Sequence, residues 1–212
     1  MALSFDGVND YVLVSDSPSL DLSSVFSFEA WVNLDVIPGT GIYAVFIRKN
    51  LAYLFRVVGV SGRQEVVFWE GGALRFLNST STTGLAVGSW SHCVATYDGS
   101  IMRFYLNGAA DGTASGAFAV DTNTAALYIA SQTGTAQFLD GRLDEVRIYN
   151  RVLSATEVLQ RFNGREIDRT GLVLEMKLNE KRGSTTFDLS GNANNGTVSG
   201  ATWKVGRREG PI

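Results

Sequence analysis

Apolar and polar residues alternate with period two along most of the first three-quarters of the chain, the signature of half-buried β-strands. In "FSFEAWVNL" (26–34), Phe26, Phe28, Ala30 and Val32 point one way and Ser27, Glu29, Trp31 and Asn33 the other. The runs "IYAVFIR" (42–48), "AYLFRVV" (52–58), "QEVVFWE" (64–70), "ALRFLN" (73–78), "SHCVATY" (91–97), "SIMRFYLNG" (100–108), "AALYIA" (125–130) and "GRLDEVRIYN" (141–150) are further strands of ordinary length. "EGG" (70–72) and "DG" (98–99) are hairpin-turn signals between neighbouring runs. The period changes once, in "LSATEVLQRF" (153–162). There Ser154 and Glu157 have the spacing of a capping box, and Val158, Leu159 and Phe162 form one apolar side. Alternation then resumes in "LVLEMKL" (172–178), with Leu172, Leu174, Met176 and Leu178 opposite Val173, Glu175 and Lys177. A half-buried strand cannot stand alone, so this one must join the preceding sheet. Strands this regular with one short helix predict an all-β, two-sheet antiparallel sandwich.

Composition narrows the function classes. Twenty-three glycines against three prolines suit many tight turns. A formal charge of −3 gives no electrostatic reason to expect nucleic acid. The basic residues Lys204, Arg207 and Arg208 lack interleaved aromatics and read as a solvated tail. The single cysteine, Cys93, excludes an internal disulfide and sits in a strand as a small core residue. No apolar run is long enough for membrane insertion. "MALSFDG" has the pattern of neither a signal nor a transit peptide. Asn78-Ser79-Thr80 and Asn195-Gly196-Thr197 are glycosylation sequons that matter only in a secreted eukaryotic protein.

The stretches "ALSFDGVNDYVLV", "FSFEAWVNL", "WSHCVATYDGSIMRFYLNG" and "GRLDEVRIYNRVLSATEV" closely resemble the laminin-G-like jelly-roll domains of the concanavalin A-like lectin/glucanase superfamily. The resemblance implies two curved antiparallel sheets packed face to face, one domain over residues 1–212, and a place outside the cell or on a cell or virion surface. It also implies an altered chain order. A segment like 171–212 normally precedes the "ALSFDG" strand in that family, so the chain reads as a circular permutation. The alternative is that the tail begins a second tandem copy, which would allow a homo-oligomer through tail exchange.

Candidate chemistry falls into three groups. The loop "DLSGNANNG" (188–196) gathers hard oxygen donors, which suit calcium, though Asp, Asn and Gly also simply make turns. By the resemblance, a structural calcium would take Asp188, Asn192 and Asn195, with Asp144 of "LDEV" and, more weakly, Asp6. For a sugar, Trp69 is the best stacking aromatic, beside Glu70 and a glycine turn and opposite in phase to Phe68; Tyr53, Arg56, Glu65 and Arg75 are candidate polar partners. Trp31, Trp90 and Trp203 match positions that are packed in the family, and Trp69 is either packed like them or a ligand platform. For catalysis no residue stands out. Glu29 is isolated in its strand, strict alternation sends Asp144 and Glu145 to opposite faces, and His92 and Cys93 point apart. The expectation is a non-catalytic module that binds glycan; the alternatives are a structural or adhesion module whose partner is a surface protein and, distantly, a glycoside hydrolase.

Overall fold

The computed structural model describes residues 1–78 and 83–207; Ser79 and Thr80 of the first sequon, and Arg208, lie outside them. The strands are β1 (Ala2–Asp6), β2 (Tyr11–Val14), β3 (Phe26–Leu34), β4 (Tyr43–Lys49), β5 (Tyr53–Val58), β6 (Gln64–Glu70), β7 (Ala73–Asn78) and β8 (Trp90–Tyr97). There follow β9 (Ile101–Leu106), β10 (Ala109–Ser115), β11 (Leu127–Ile129), β12 (Asp140–Tyr149), the helix α1 (Ala155–Phe162), β13 (Leu172–Met176), β14 (Thr185–Thr186), β15 (Gly196–Ser199) and β16 (Thr202–Lys204). They build two antiparallel sheets. The first runs β10-β9-β8-β3-β12-β1-β16, and the second β14-β15-β2-β11-β4-β5-β6-β7. The edge strand β10, "AADGTAS", has no alternation to announce it and exists through its pairing with β9.

The anticipated inner row of β3 is the core. Phe26, Phe28, Ala30 and Val32 meet Phe46, Phe55 and Phe68 of the second sheet, and the rings of Phe28 and Phe55 stack at 6.0 Å across the interface. The glycines of "EGG" close the β6–β7 hairpin with positive φ at Gly71 (57°) and Gly72 (76°), which glycine adopts without a Cβ penalty.

The outer row of β3 is buried too, because α1 lies over that face. The capping box forms: Ser154 Oγ accepts from Glu157 N at 3.3 Å, and Ser154 N donates to Glu157 Oε2 at 2.8 Å. Val158 packs against Val94, Tyr105, Tyr149, Leu153 and Leu172, and Phe162 stacks on Trp31 at 5.7 Å. Leu172 reaches this outer cluster because a bulge shifts the β12–β13 register between Ile148 and Tyr149. The "LVLEMKL" strand, read as half-buried, is therefore buried on both sides.

Beneath the helix lies a network of buried charges. Arg147 donates to Glu29 at 3.0 Å, to Glu175 at 3.0 Å and to Glu145 at 2.7 Å. His92 Nε2 lies 3.2 Å from Glu29, and Arg161 of α1 reaches the same carboxylate at 3.4 Å. Burial opposes ionisation of Glu29, but Arg147, His92 and Arg161 outweigh it and hold the carboxyl at about 2. Glu29 is thus alone in its strand and surrounded in space.

Two readings of this face are corrected. A bulge in β12 lets Asp144 oppose Trp31 and Arg147 oppose Glu29, with one extra residue between them. Glu145 takes a positive φ of 50° there. Its carboxylate turns onto the same outer side as Asp144, not the opposite one, and bonds Arg147, Arg161 and Arg207. Arg207 is no solvated tail: it pairs with Glu145 at 3.1 Å and sits 4.3 Å above the Trp31 ring. Burial, then repulsion from Glu145, pushes Asp144 up to about 7.

The tail laces both sheets. β13 pairs with the second half of β12, end to end with β1 on the first half. β15 pairs with β2, and β16 with β1. Every tail strand finds its partner within the same chain. Gly206 passes so close to Met1 that a Cβ would lie 2.4 Å from the Met1 carbonyl oxygen.

Deleting residues 166–212 strips β12, β1 and β2 of partners and removes the core residues Leu174, Met176 and Leu178. The shortened chain is expected to lose its cooperative thermal transition, read by near-ultraviolet circular dichroism; a retained sharp melt would show that residues 1–165 fold without the tail. For Asp144 the folded value of about 7 exceeds the ordinary 3.8. Between those pH values the folded chain keeps a proton the unfolded chain has released, so this group's contribution to stability falls as pH rises through the window. Asp144→Asn removes that loss, on the order of 4 kcal/mol at most. Its melting temperature should exceed that of the parent clearly at pH 8 and little at pH 4; an equal gain at both would contradict the assignment.

Candidate functional site

Cross-strand registers sort the sugar-site candidates onto the two faces of the second sheet. Trp69 opposes Leu74, and its face carries Val67 opposite Leu54 and Glu65 opposite Arg56. This is the outer face. Phe68 opposes Tyr53 on one side and Arg75 on the other, which is the inner face. Trp69, Arg56 and Glu65 therefore share a surface that Tyr53, Glu70 and Arg75 do not reach.

Three of the expected partners are corrected accordingly. Tyr53 is a core residue with no exposed surface, its hydroxyl donating to the Leu20 carbonyl at 3.0 Å. Glu70 accepts from Arg75 at 3.3 Å and from the Ala119 amide at 3.0 Å, so the pair pins the 116–121 segment over the sandwich rim. Arg56 and Glu65 lie on the right face but are spent on each other at 2.5 Å, with the guanidinium 3.4 Å from the Tyr43 ring centre.

The residue that does stand against Trp69 is Arg48, whose guanidinium carbon lies 5.5 Å from the indole centre. Its position is set by a bulge in β4: Val45 opposes Arg56 and Ile47 opposes Phe55, leaving Phe46 as an extra residue. Phe46 and Ile47 both turn into the core, and Arg48 turns out. Simple alternation from Ala44 and Phe46 would bury Arg48 in the core, which is why the sequence did not mark it. Arg48 Nη2 donates to Asn50 Oδ1 at 2.6 Å. Burial, then the neighbouring charge of Arg56, pushes Arg48 down to about 10.

Asn50 links this pair to an open cleft of about 630 Å³ lined by Gly72, Asp121, Thr122, Asn123 and Thr124 among others. The cleft is built by the Gly turn after β6. Asp121 accepts from the Gly71 and Gly72 amides at 2.8 Å each, and Asn123 donates to the Asn50 carbonyl at 2.8 Å. A half-buried indole, a cation and a wall of amides and hydroxyls together suit a polyhydroxylated ring.

The residues proposed for calcium fall in three places. Asp188, Asn192 and Asn195 share the tail loop, beside β13. Asp144 lies under Arg207 on the outer face of the first sheet, and Asp6 stands at the far end of β1, opposite Asp140. The loop's donors are used internally. Asp188 accepts from the Glu175, Ser190 and Asn194 amides and the Ser190 hydroxyl at 2.7–3.0 Å. Asn195 Oδ1 accepts from the Asp188 amide at 2.9 Å, and Asn192 donates to the Val173 carbonyl at 3.0 Å. These side chains behave as turn and strand caps, and the set does not fit one ion. Among the described residues no three acidic, histidine or cysteine side chains are grouped to hold a metal. His92 and Cys93 do point apart, His92 to the charge network and Cys93 into the core.

Among curated protein sequences nothing matches the chain. Solved structures do. A putative carbohydrate binding protein from Bacteroides ovatus superimposes with a TM-score of 0.73 at 23% identity over 95% of this chain, which spans 58% of that protein. Domain 4 of an extracellular arabinanase from Geobacillus stearothermophilus, solved with arabinotriose, gives 0.56 at 20% identity over 70% of each chain. A heptameric SAP-like pentraxin from Limulus polyphemus gives 0.58 at 12% identity, covering 75% of this chain and 80% of that one. At these identities the likeness is one of fold. Residues 6–159 match the laminin G family model described as the concanavalin A-like lectin/glucanases superfamily, and with its two-sheet antiparallel sandwich the chain belongs to that family.

Proposed function

We propose that the chain is a non-catalytic carbohydrate-binding module whose sugar site is the outer face of the second sheet around Trp69. The observation that carries this reading is the indole itself, part-exposed, backed by Arg48 and continuous through Asn50 with the polar cleft. Trp31, by contrast, is 6% exposed and closed in by Phe162 and Arg207. The solved relatives from Bacteroides and Geobacillus, a putative carbohydrate binding protein and a domain holding arabinotriose, support the same class of ligand. The absence of catalysis is argued from placement. Glu29, Glu145 and Glu175, which converge in space, are each held in an ion pair with Arg147 under the helix.

On a glycan array the protein is expected to bind, and Trp69→Ala to weaken that binding at least tenfold, about 1.4 kcal/mol, while its melt stays cooperative. Binding that survives Trp69→Ala would move the site elsewhere. A blank array with folded protein would favour a structural or adhesion role. The reading places no ion in the site, so calcium and chelator should give the same glycan affinity and the same melting temperature; a loss with chelator would restore calcium to the account.

A further inference from the structure

The cations buried in the described residues are Arg48, Lys49, Arg56, Arg147 and Arg161. Lys49 is held by Asp16 and Asp21, Arg56 by Glu65, Arg147 by Glu29, Glu145 and Glu175, and Arg161 by Glu29, Glu145 and Glu166. Among the described residues Arg48 has no carboxylate partner. It is 4% exposed, and its Nε and Nη1 are buried with no hydrogen-bond partner. Its directly opposed neighbours are Leu54 and Tyr128, and the charge that acts on it is another cation, Arg56. A buried ion normally finds a counter-ion, because desolvation without one costs several kcal/mol. The Trp69 face recovers part of that cost by cation–π attraction and the Asn50 amide another part. Nε and Nη1, which lie on different edges of the guanidinium, remain unpaired.

We propose that the glycan taken by this face is acidic, with Arg48 supplying a counter-charge and an unpaired N–H donor to a carboxylate or sulfate ester carried on the sugar. The proposal rests on the carbohydrate-binding reading above and names its ligand class. A weakly hydrated guanidinium with planar N–H donors matches an oxyanion better than a lone amide or an ammonium would. Because the free nitrogens are buried, the side chains packed round them yield as the anion enters. The desolvated cation gives a strong bond to an anion and leaves a neutral hydroxyl poorly rewarded.

The test compares glycans that differ in charge alone. One pair is a galacturonic acid trimer and its full methyl ester; the other is sulfated and unsulfated dextran fragments, which separates a carboxylate source from a sulfate source. Isothermal titration is run on the parent protein and on Arg48→Gln, Arg48→Lys and Arg48→Met. The expected result is at least tenfold tighter binding of an acidic member than of its neutral partner, with a change in Trp69 fluorescence. That preference should vanish in Arg48→Gln and fall sharply in Arg48→Lys, which keeps the charge but not the planar N–H donors. Arg48→Met, which removes an uncompensated ion, should melt above the parent; a lower melting temperature would show the charge to be satisfied in the free protein and overturn the proposal. Equal binding of charged and neutral partners overturns it while leaving carbohydrate recognition standing. Binding to neutral sugars in the array and to neither acid likewise overturns it, and binding to no glycan removes both readings.

Discussion

Arg147 is the point on which the outer layer of the first sheet depends. Its guanidinium, 1% exposed, joins Glu29 of β3, Glu145 of its own strand and Glu175 of β13. Burial works against the charge, and the surrounding carboxylates outweigh that effect and raise its pKa. Removing any one partner would leave an uncompensated ion in a dry layer, which is far costlier than never having buried the set. The helix cannot lie elsewhere, since Arg161 must meet Glu29 and Glu145. The tail cannot leave either, since Glu175 and Arg207 belong to the same group. A single polar cluster thus ties sequence positions 29, 92, 145, 161, 175 and 207 into one unit.

Local signals carried most of the fold. Period-two rows placed the core of β3, the glycine turn closed the β6–β7 hairpin, and Ser154 with Glu157 marked the helix start. What local pattern cannot carry is a bulge, because one extra residue reverses the face of everything after it. Bulges at Phe46, at Glu145 and at Val173 account for the unmarked Arg48 and for the corrected readings of the Asp144–Glu145 pair and of Leu172. Of the proposed site, the aromatic Trp69 was legible in the sequence and the cation was not. Arg48 is one strand-residue among many until the register shows it beside the indole. The tail loop is ambiguous for a different reason: oxygen donors that cap a turn and donors that hold an ion are the same residue types.

The two outer faces make an instructive contrast. Both bury arginine, and both bring an indole against a guanidinium, Arg207 on Trp31 and Arg48 on Trp69. On the first sheet the charges are closed among themselves and the face is sealed by α1. On the second sheet no helix among the described residues covers Trp69, and one guanidinium keeps two unpaired nitrogens. Satisfied polar layers fix a structure, and unsatisfied ones are where a structure has use for something else.

The pairing of β1 with β16 has a mechanical consequence. Ala2 opposes Lys204 and Ser4 opposes Thr202, so both ends of the described chain leave from the same side of one short ladder. Tension applied through those ends would load that ladder by unzipping, one hydrogen-bonded pair at a time, and not by shear across all of them. The first contacts to yield would be those of Arg207, which lies between the pulled end and β16, so that it is drawn off Trp31 and Glu145 and the strain passes into the charge network beneath the helix. β16 would peel from β1 next.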